Sequence, residues 1–174
     1  TDISFKWLTK HPAQKIYMRA TCDQLFDKFV ESGKVKSSQY YYIEKDYNYI
    51  TKLSFYNRKD DFKLILNEKL KNKDDKVLFF TQSMNRALET YIEHRDVSTF
   101  FCSSYTKNSM AKKFLKECRN DIQNESFNQQ LLIATSALDV GITLKSKKIR
   151  TIILDIFSWQ TLVQCLGRKR LIDH

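Results

Sequence analysis

The sequence predicts an α/β fold in which a parallel β-sheet carries helices on both faces. Four short runs, VLFF (77–80), STFF (98–101), LLIA (131–134) and TIIL (151–154), are almost wholly apolar, and helical patterns lie between them. Strands without polar alternation are strands covered on both sides, the usual condition of a parallel sheet. The 174 residues are 42% hydrophobic and include 12 Phe and 9 Tyr. That is enough for a core, so disordered, collagen-like and low-complexity classes are excluded.

In chain order, KIYM (15–18) predicts a short strand. A helix from Asp23 follows, with Leu25, Phe26, Phe29 and Val30 on its apolar face and Gly33 as its C-terminal cap. YYYIEKDYNYITKLSFY (40–56) mixes β-branched and aromatic residues with polar ones and predicts two strand-length pieces. Phe62, Ile65, Leu66 and Leu70 predict a helix over 60–71, and NKDDK a polar loop. VLFF precedes a helix with Met84, Ala87, Leu88, Tyr91 and Ile92 on one face. STFF precedes one with Met110, Phe114, Leu115 and Cys118, and TIIL leads into a helix from Ser158 with Leu162, Val163 and Leu166 as its buried stripe.

No apolar run approaches the 18 or so residues of a spanning helix, and the N-terminus TDISFKWLTKHP has no apolar signal core. A soluble, cytoplasmic protein without membrane contact is expected. Cys22, Cys102, Cys118 and Cys165 form no CxxC pair and have no histidine at ligand spacing. Cys102 and Cys118 read as small hydrophobes, a reducing compartment is the simplest setting, and zinc is not expected. His11, His94 and His174 share no evident partner. Thirty Lys+Arg stand against 20 Asp+Glu, a net charge of +10. This fits a polyanionic partner such as nucleic acid, and equally a Lys-rich compositional bias.

Ligands of doubly wound sheets bind in the loops at the carboxyl ends of the strands. Here those loops open at Thr81, Thr135 and Asp155. Ser83 is placed to cap the helix after the first, and a helix start behind a strand is also a phosphate site. In LLIATSALDVGITL (131–144), the hydroxyls of Thr135 and Ser136 can hold a phosphate oxygen and Gly141 permits close backbone approach. An ordinary strand-turn-helix junction capped by Ser136 or Asp139 accounts for the same residues. In SWQTLVQCLGRKRL (158–171), Gly167 costs about 1 kcal/mol relative to Ala within a helical pattern. It is either a C-cap with Arg168, Lys169 and Arg170 complementing the helix dipole, or the turn from which two guanidiniums project toward a phosphate.

KVLFFTQS, IATSALDVGITL and QCLGRKR together resemble motifs IV, V and VI of superfamily 2 helicases, in order and spacing. The closest resemblance is to phage-type or low-GC bacterial DEAD/DEAH-like helicases. IYMRATCDQLFDKF resembles motif III, with Ala20 and Thr21 matching and Arg19 where the family has Ser. The resemblance implies a remnant of a first RecA-like domain over 1–33, connecting strands and a helix over 34–75, and the second RecA-like domain over 76–174. It further implies that Ser83 and Thr135 meet the nucleic-acid backbone and that Thr21 couples the two domains. Asp139 and Gly141 lie near the nucleotide by the same resemblance. Gln164 and Arg168 face ATP, with Arg168 stabilising charge on the γ-phosphate. The family's second finger falls on Leu171, so Arg170 is one position short of it, and Thr143 stands where many members carry an Asp or Asn for the ribose.

The GxxxxGK-S/T phosphate loop is not found: Gly33-Lys34 is followed by Val35. TIILD ends in Asp155, but Ile156 stands where a second acid would, so Asp155 reads as a structural loop residue. The expectation is therefore a fragment that carries the second motor domain, is inactive alone, and relies on a first domain for the Mg²⁺ ligands. The implied function is an ATP-dependent helicase or translocase acting on nucleic acid, DNA favoured over RNA. A non-catalytic basic nucleic-acid-binding module, and the motor subunit of a restriction or CRISPR-associated nuclease, are the alternatives.

Overall fold

The computed structural model describes residues 23–39, 50–123, 125–135 and 143–169. The predicted strand at 15–18, the motif III residues Arg19, Ala20 and Thr21, and Ser136, Asp139, Gly141 and Arg170 lie outside them. The chain divides into two compact units, Thr1–Tyr42 and Ile43–His174.

In the first unit, helix α1 (Asp23–Glu31) buries Phe29 and ends as the sequence predicts. Gly33 sits at φ +67°, its N–H bonding the carbonyl of Val30 while the Lys34 N–H bonds that of Phe29. Glycine is the residue that enters this left-handed region without a Cβ penalty.

In the second unit, residues 50–57 form no strand, contrary to the expectation from their alternation. Leu53 and Phe55 are exposed, and Tyr56 alone turns inward, its ring 6.0 Å from that of Phe62. Strand propensity reports fit to a pleated neighbour, and this segment has no ladder partner among the described residues. Helix α2 (Lys59–Leu70) buries Phe62 and Leu66. These two share a core with the sheet, so the α/β unit takes in residues upstream of Lys76.

Strand β1 (Lys76–Thr81) leads to α3 (Met84–Glu93), then β2 (Ser98–Phe101) and α4 (Ser109–Glu117). A short antiparallel hairpin, β3 (Ile122–Gln123) and β4 (Ser126–Phe127), precedes β5 (Leu131–Thr135). Strand β6 (Ile149–Asp155) and helix α5 (Trp159–Leu166) follow. The four long strands are parallel in the order β2-β5-β1-β6, which bears out the expected sheet. Alternation along β1 sorts the core. Val77 and Phe79 pack with α2, α3 and α4, through Phe62, Leu66, Ala87, Tyr91 and Phe114. Leu78 and Phe80 face the other way, toward Phe127, Leu144 and Cys165.

Sequence patterning overstates some helix faces. Ile92 and Met110 are exposed, because α3 and α4 each cover the sheet with a narrower stripe than the apolar residues span. On α5 the buried residues are Val163 and Cys165, with Leu162 and Leu166 only half-covered. This helix lies on the edge strand β6, which can cover one flank only. The hairpin is not legible in the sequence, since two-residue strands carry no periodicity. Its turn includes Glu125 at φ 58°, and its Phe127 fills the second core.

Cys102, Cys118 and Cys165 are buried free thiols, as expected of small hydrophobes. Among the described residues no helix is long and apolar enough to cross a membrane. His94 closes the C-terminus of α3, and burial lowers its pKa while Glu93 raises it and Lys63 lowers it further. A folded-state pKa below the unfolded value of about 6.5 means that the unfolded chain binds the proton first. Stability is therefore full above about pH 6.5 and falls as pH drops toward the folded pKa. Thermal melts at pH 7.5 and 5.5 should show a smaller loss for His94→Gln than for the parent, and equal losses would remove His94 from the account.

Candidate functional site

The parallel registers put three strand ends on one level. Thr81 pairs with Thr135 on one side and with Asp155 on the other, so β5, β1 and β6 finish in a row. The three strand ends that the sequence marks as leading into ligand-bearing loops thus lie on the same edge.

Their geometry is fixed by a polar network. The Asp155 carboxylate oxygen Oδ2 accepts the Thr81 hydroxyl at 2.9 Å and the Arg86 guanidinium at 3.0 Å. Thr81 Oγ1 in turn accepts the Ser83 N–H at 3.1 Å. The Asp155 carbonyl takes the Gln82 N–H, and Gln82 Oε1 takes the Phe157 N–H at 3.4 Å. Arg86 lies over the Phe62 ring, 4.6 Å from its centroid. Its Nε and Nη2, like the Tyr56 hydroxyl, are buried without a hydrogen-bond partner among the described residues. Burial first, and then the Asp155 charge, raise the Tyr56 pKa, so the phenol stays protonated at neutral pH.

Ser83 does cap α3: its Oγ accepts the Arg86 N–H at 3.3 Å. The helix start that results is exposed at this edge, with Gln82 and Ser83 both open to solvent. Thr135 is buried at the end of β5. Asp155 is the structural residue the sequence suggests, and more, since it ties two loops and a helix together. Arg86 escapes sequence reading. Its only signal there is a lone cation on the first turns of a helix, and the pairing spans 69 residues.

Gln164 lies on α5 and Arg168 just beyond it, the two described site residues of the expected motif VI. Ser158 caps this helix, and Gln164 and Arg168 are half-buried. The Arg168 carbonyl accepts the Leu144 N–H at 2.8 Å, and Leu144 and Lys169 form a parallel bridge. The exit of the motif V segment is thereby joined to motif VI through backbone, with Leu144 fully buried. Gly167 is the C-cap, yet its φ of −66° is ordinary right-handed backbone. A Cβ there would touch the Val163 carbonyl oxygen at 3.4 Å, so the chain's own geometry does not require glycine at this position.

A family model described as the helicase conserved C-terminal domain matches residues 60–170. The chain belongs to this family. The match takes in α2, the whole parallel sheet and α5, the elements that position Ser83, Thr135, Gln164 and Arg168. No curated protein matches the chain. Membership in a helicase domain family gives the chain a helicase-type role in which nucleic acid is engaged.

Proposed function

We propose that this chain is the second motor domain of an ATP-dependent superfamily 2 helicase or translocase, working in the cytoplasm against a first RecA-like domain. The observation that carries the proposal is the level edge formed by Thr81, Thr135 and Asp155 in a helicase-family sheet. Nucleic-acid backbone runs over this edge, meeting Ser83 at the start of α3 and Thr135 at the end of β5. DNA is taken as the track in this proposal.

ATP would be held in part by this chain and in part by the first domain, and cleavage of its terminal phosphoanhydride by water would supply the energy for their closure and reopening. The donors offered by this chain suit phosphate oxygens: the carboxamide of Gln164 and the planar fork of Arg168. Arg168 places positive charge where the terminal phosphate gains negative charge. Asp139, Gly141, Arg170 and the coupling residue Thr21 join this site on the strength of the motif resemblance. Among the described residues no group of three or more His, Cys, Asp or Glu could hold a metal ion. In this reading the Mg²⁺ ligands belong to the first domain.

Backbone binding is tested by titrating a single-stranded oligonucleotide across a salt series, where log affinity should fall linearly with log salt. Ser83→Asp keeps an N-cap residue but sets a negative charge against phosphate. It should weaken binding about fivefold, on the order of 1 kcal/mol of added repulsion, while leaving the melting temperature in place. Unchanged affinity would remove Ser83 from the interface.

A further inference from the structure

Just after Asp155, at the entry to α5 and on its first residue, the chain displays two large aromatic side chains: Phe157 is 92% exposed and Trp159 70%. Single exposed hydrophobics are common on protein surfaces. This pair is unlike a scattered residue, because it stands within three positions on a stretch held from several sides. Asp155 is fixed by Thr81 and Arg86, the Phe157 amide is tied to Gln82, and Ser158 between the two aromatics caps α5 through the Thr161 N–H. Held through the side chains of Asp155 and Ser158 and through the Phe157 amide, this stretch presents both rings from a frame already ordered, so little conformational freedom is lost when something packs on them.

The same tether sets their position. Gln82 binds the Phe157 amide and is the neighbour of Ser83, so the aromatic loop lies beside the expected backbone contact. An aromatic surface next to a backbone site is what a strand of nucleic acid needs, since phosphates meet polar groups while bases seek a face to stack on. The charge agrees, with 15 basic against 9 acidic residues from Lys76 onward.

We infer that Phe157 and Trp159 form a stacking platform for the bases of single-stranded nucleic acid that crosses the carboxyl edge of the sheet. The inference rests on the nucleic-acid reading proposed above and extends it from the backbone to the bases. It predicts binding without sequence preference, because every base offers a face to an aromatic ring.

The chain has two tryptophans, Trp7 and Trp159. In a Trp7→Phe background, oligo-dT binding should quench the remaining tryptophan emission. Phe157→Ala and Trp159→Ala should each weaken oligo-dT binding about tenfold while keeping the slope of log affinity against log salt, since no phosphate contact is lost. Trp159→Tyr should restore binding and Trp159→Leu should not, which separates stacking from general apolar contact. All variants should melt with the parent, as both side chains are exposed. Oligonucleotide binding that ignores these substitutions and leaves Trp159 unquenched overturns the platform alone, and then the pair covers a protein surface. Absence of any salt-dependent oligonucleotide binding by the parent overturns the nucleic-acid reading, and the platform with it.

Discussion

In the protein paired with its first motor domain, Arg168→Ala should lower the ATP turnover number about a thousandfold or more while leaving ATP binding nearly unchanged. A cation directed at a phosphoryl group in transit contributes on the order of 10³ to 10⁵ in rate, because it meets charge that is larger in the transition state than in bound ATP. Arg168→Lys should recover only a small part of the loss, since an ammonium retains the charge without the planar fork. The structure makes the substitution interpretable. Arg168 holds the motif V exit through its backbone carbonyl, which accepts the Leu144 N–H, so a side-chain replacement leaves that bridge in place. Melting temperature and nucleotide affinity serve as controls for packing. Turnover at the parent rate in the alanine variant would refute the assignment, and loss of ATP affinity without loss of turnover number would make Arg168 a ground-state binding residue.

How much of this was legible in the sequence depends on the distance over which each feature is encoded. The strands at 77–80 and 131–134 are continuous apolar runs because both of their faces are covered, and that signal is local. Helix starts at Ser83 and Ser158 are local too, since a cap concerns residues within one turn. Strand order is not local. The pairing of Thr81 with both Thr135 and Asp155 follows from how the crossovers pack, and with it comes the contact between Arg86 and Asp155. Sequence could assign Asp155 a structural role but not its partners. Similarly, periodicity shows which face of a helix is apolar and not how wide a stripe the sheet covers, hence the exposure of Ile92 and Met110. Two of the chain's three glycines differ in what they do. Gly33 answers a backbone need, at φ +67°, whereas Gly167 does not, at φ −66°.

Asp155→Ala should be the most damaging single change to the fold at this edge, destabilising it by about 2–4 kcal/mol and lowering the melting temperature by roughly 6–14 °C. Two losses add. Thr81, fully buried, loses the acceptor for its hydroxyl, and Arg86 loses its counter-ion while two of its nitrogens are already buried without partners among the described residues. With side-chain exposures of 21% for Arg86 and 16% for Asp155, solvent can compensate little of the stranded charge. Arg86→Met tests that account. It removes the cation and keeps an apolar chain over the Phe62 ring, so the double variant should be more stable than the sum of the single effects by about 1–3 kcal/mol. Because Thr81 also accepts the Ser83 N–H, a loosened Asp155 should free the start of α3, and oligonucleotide affinity should fall together with stability. A loss below about 0.5 kcal/mol in Asp155→Ala, or strict additivity in the double variant, would show that the carboxylate holds neither partner.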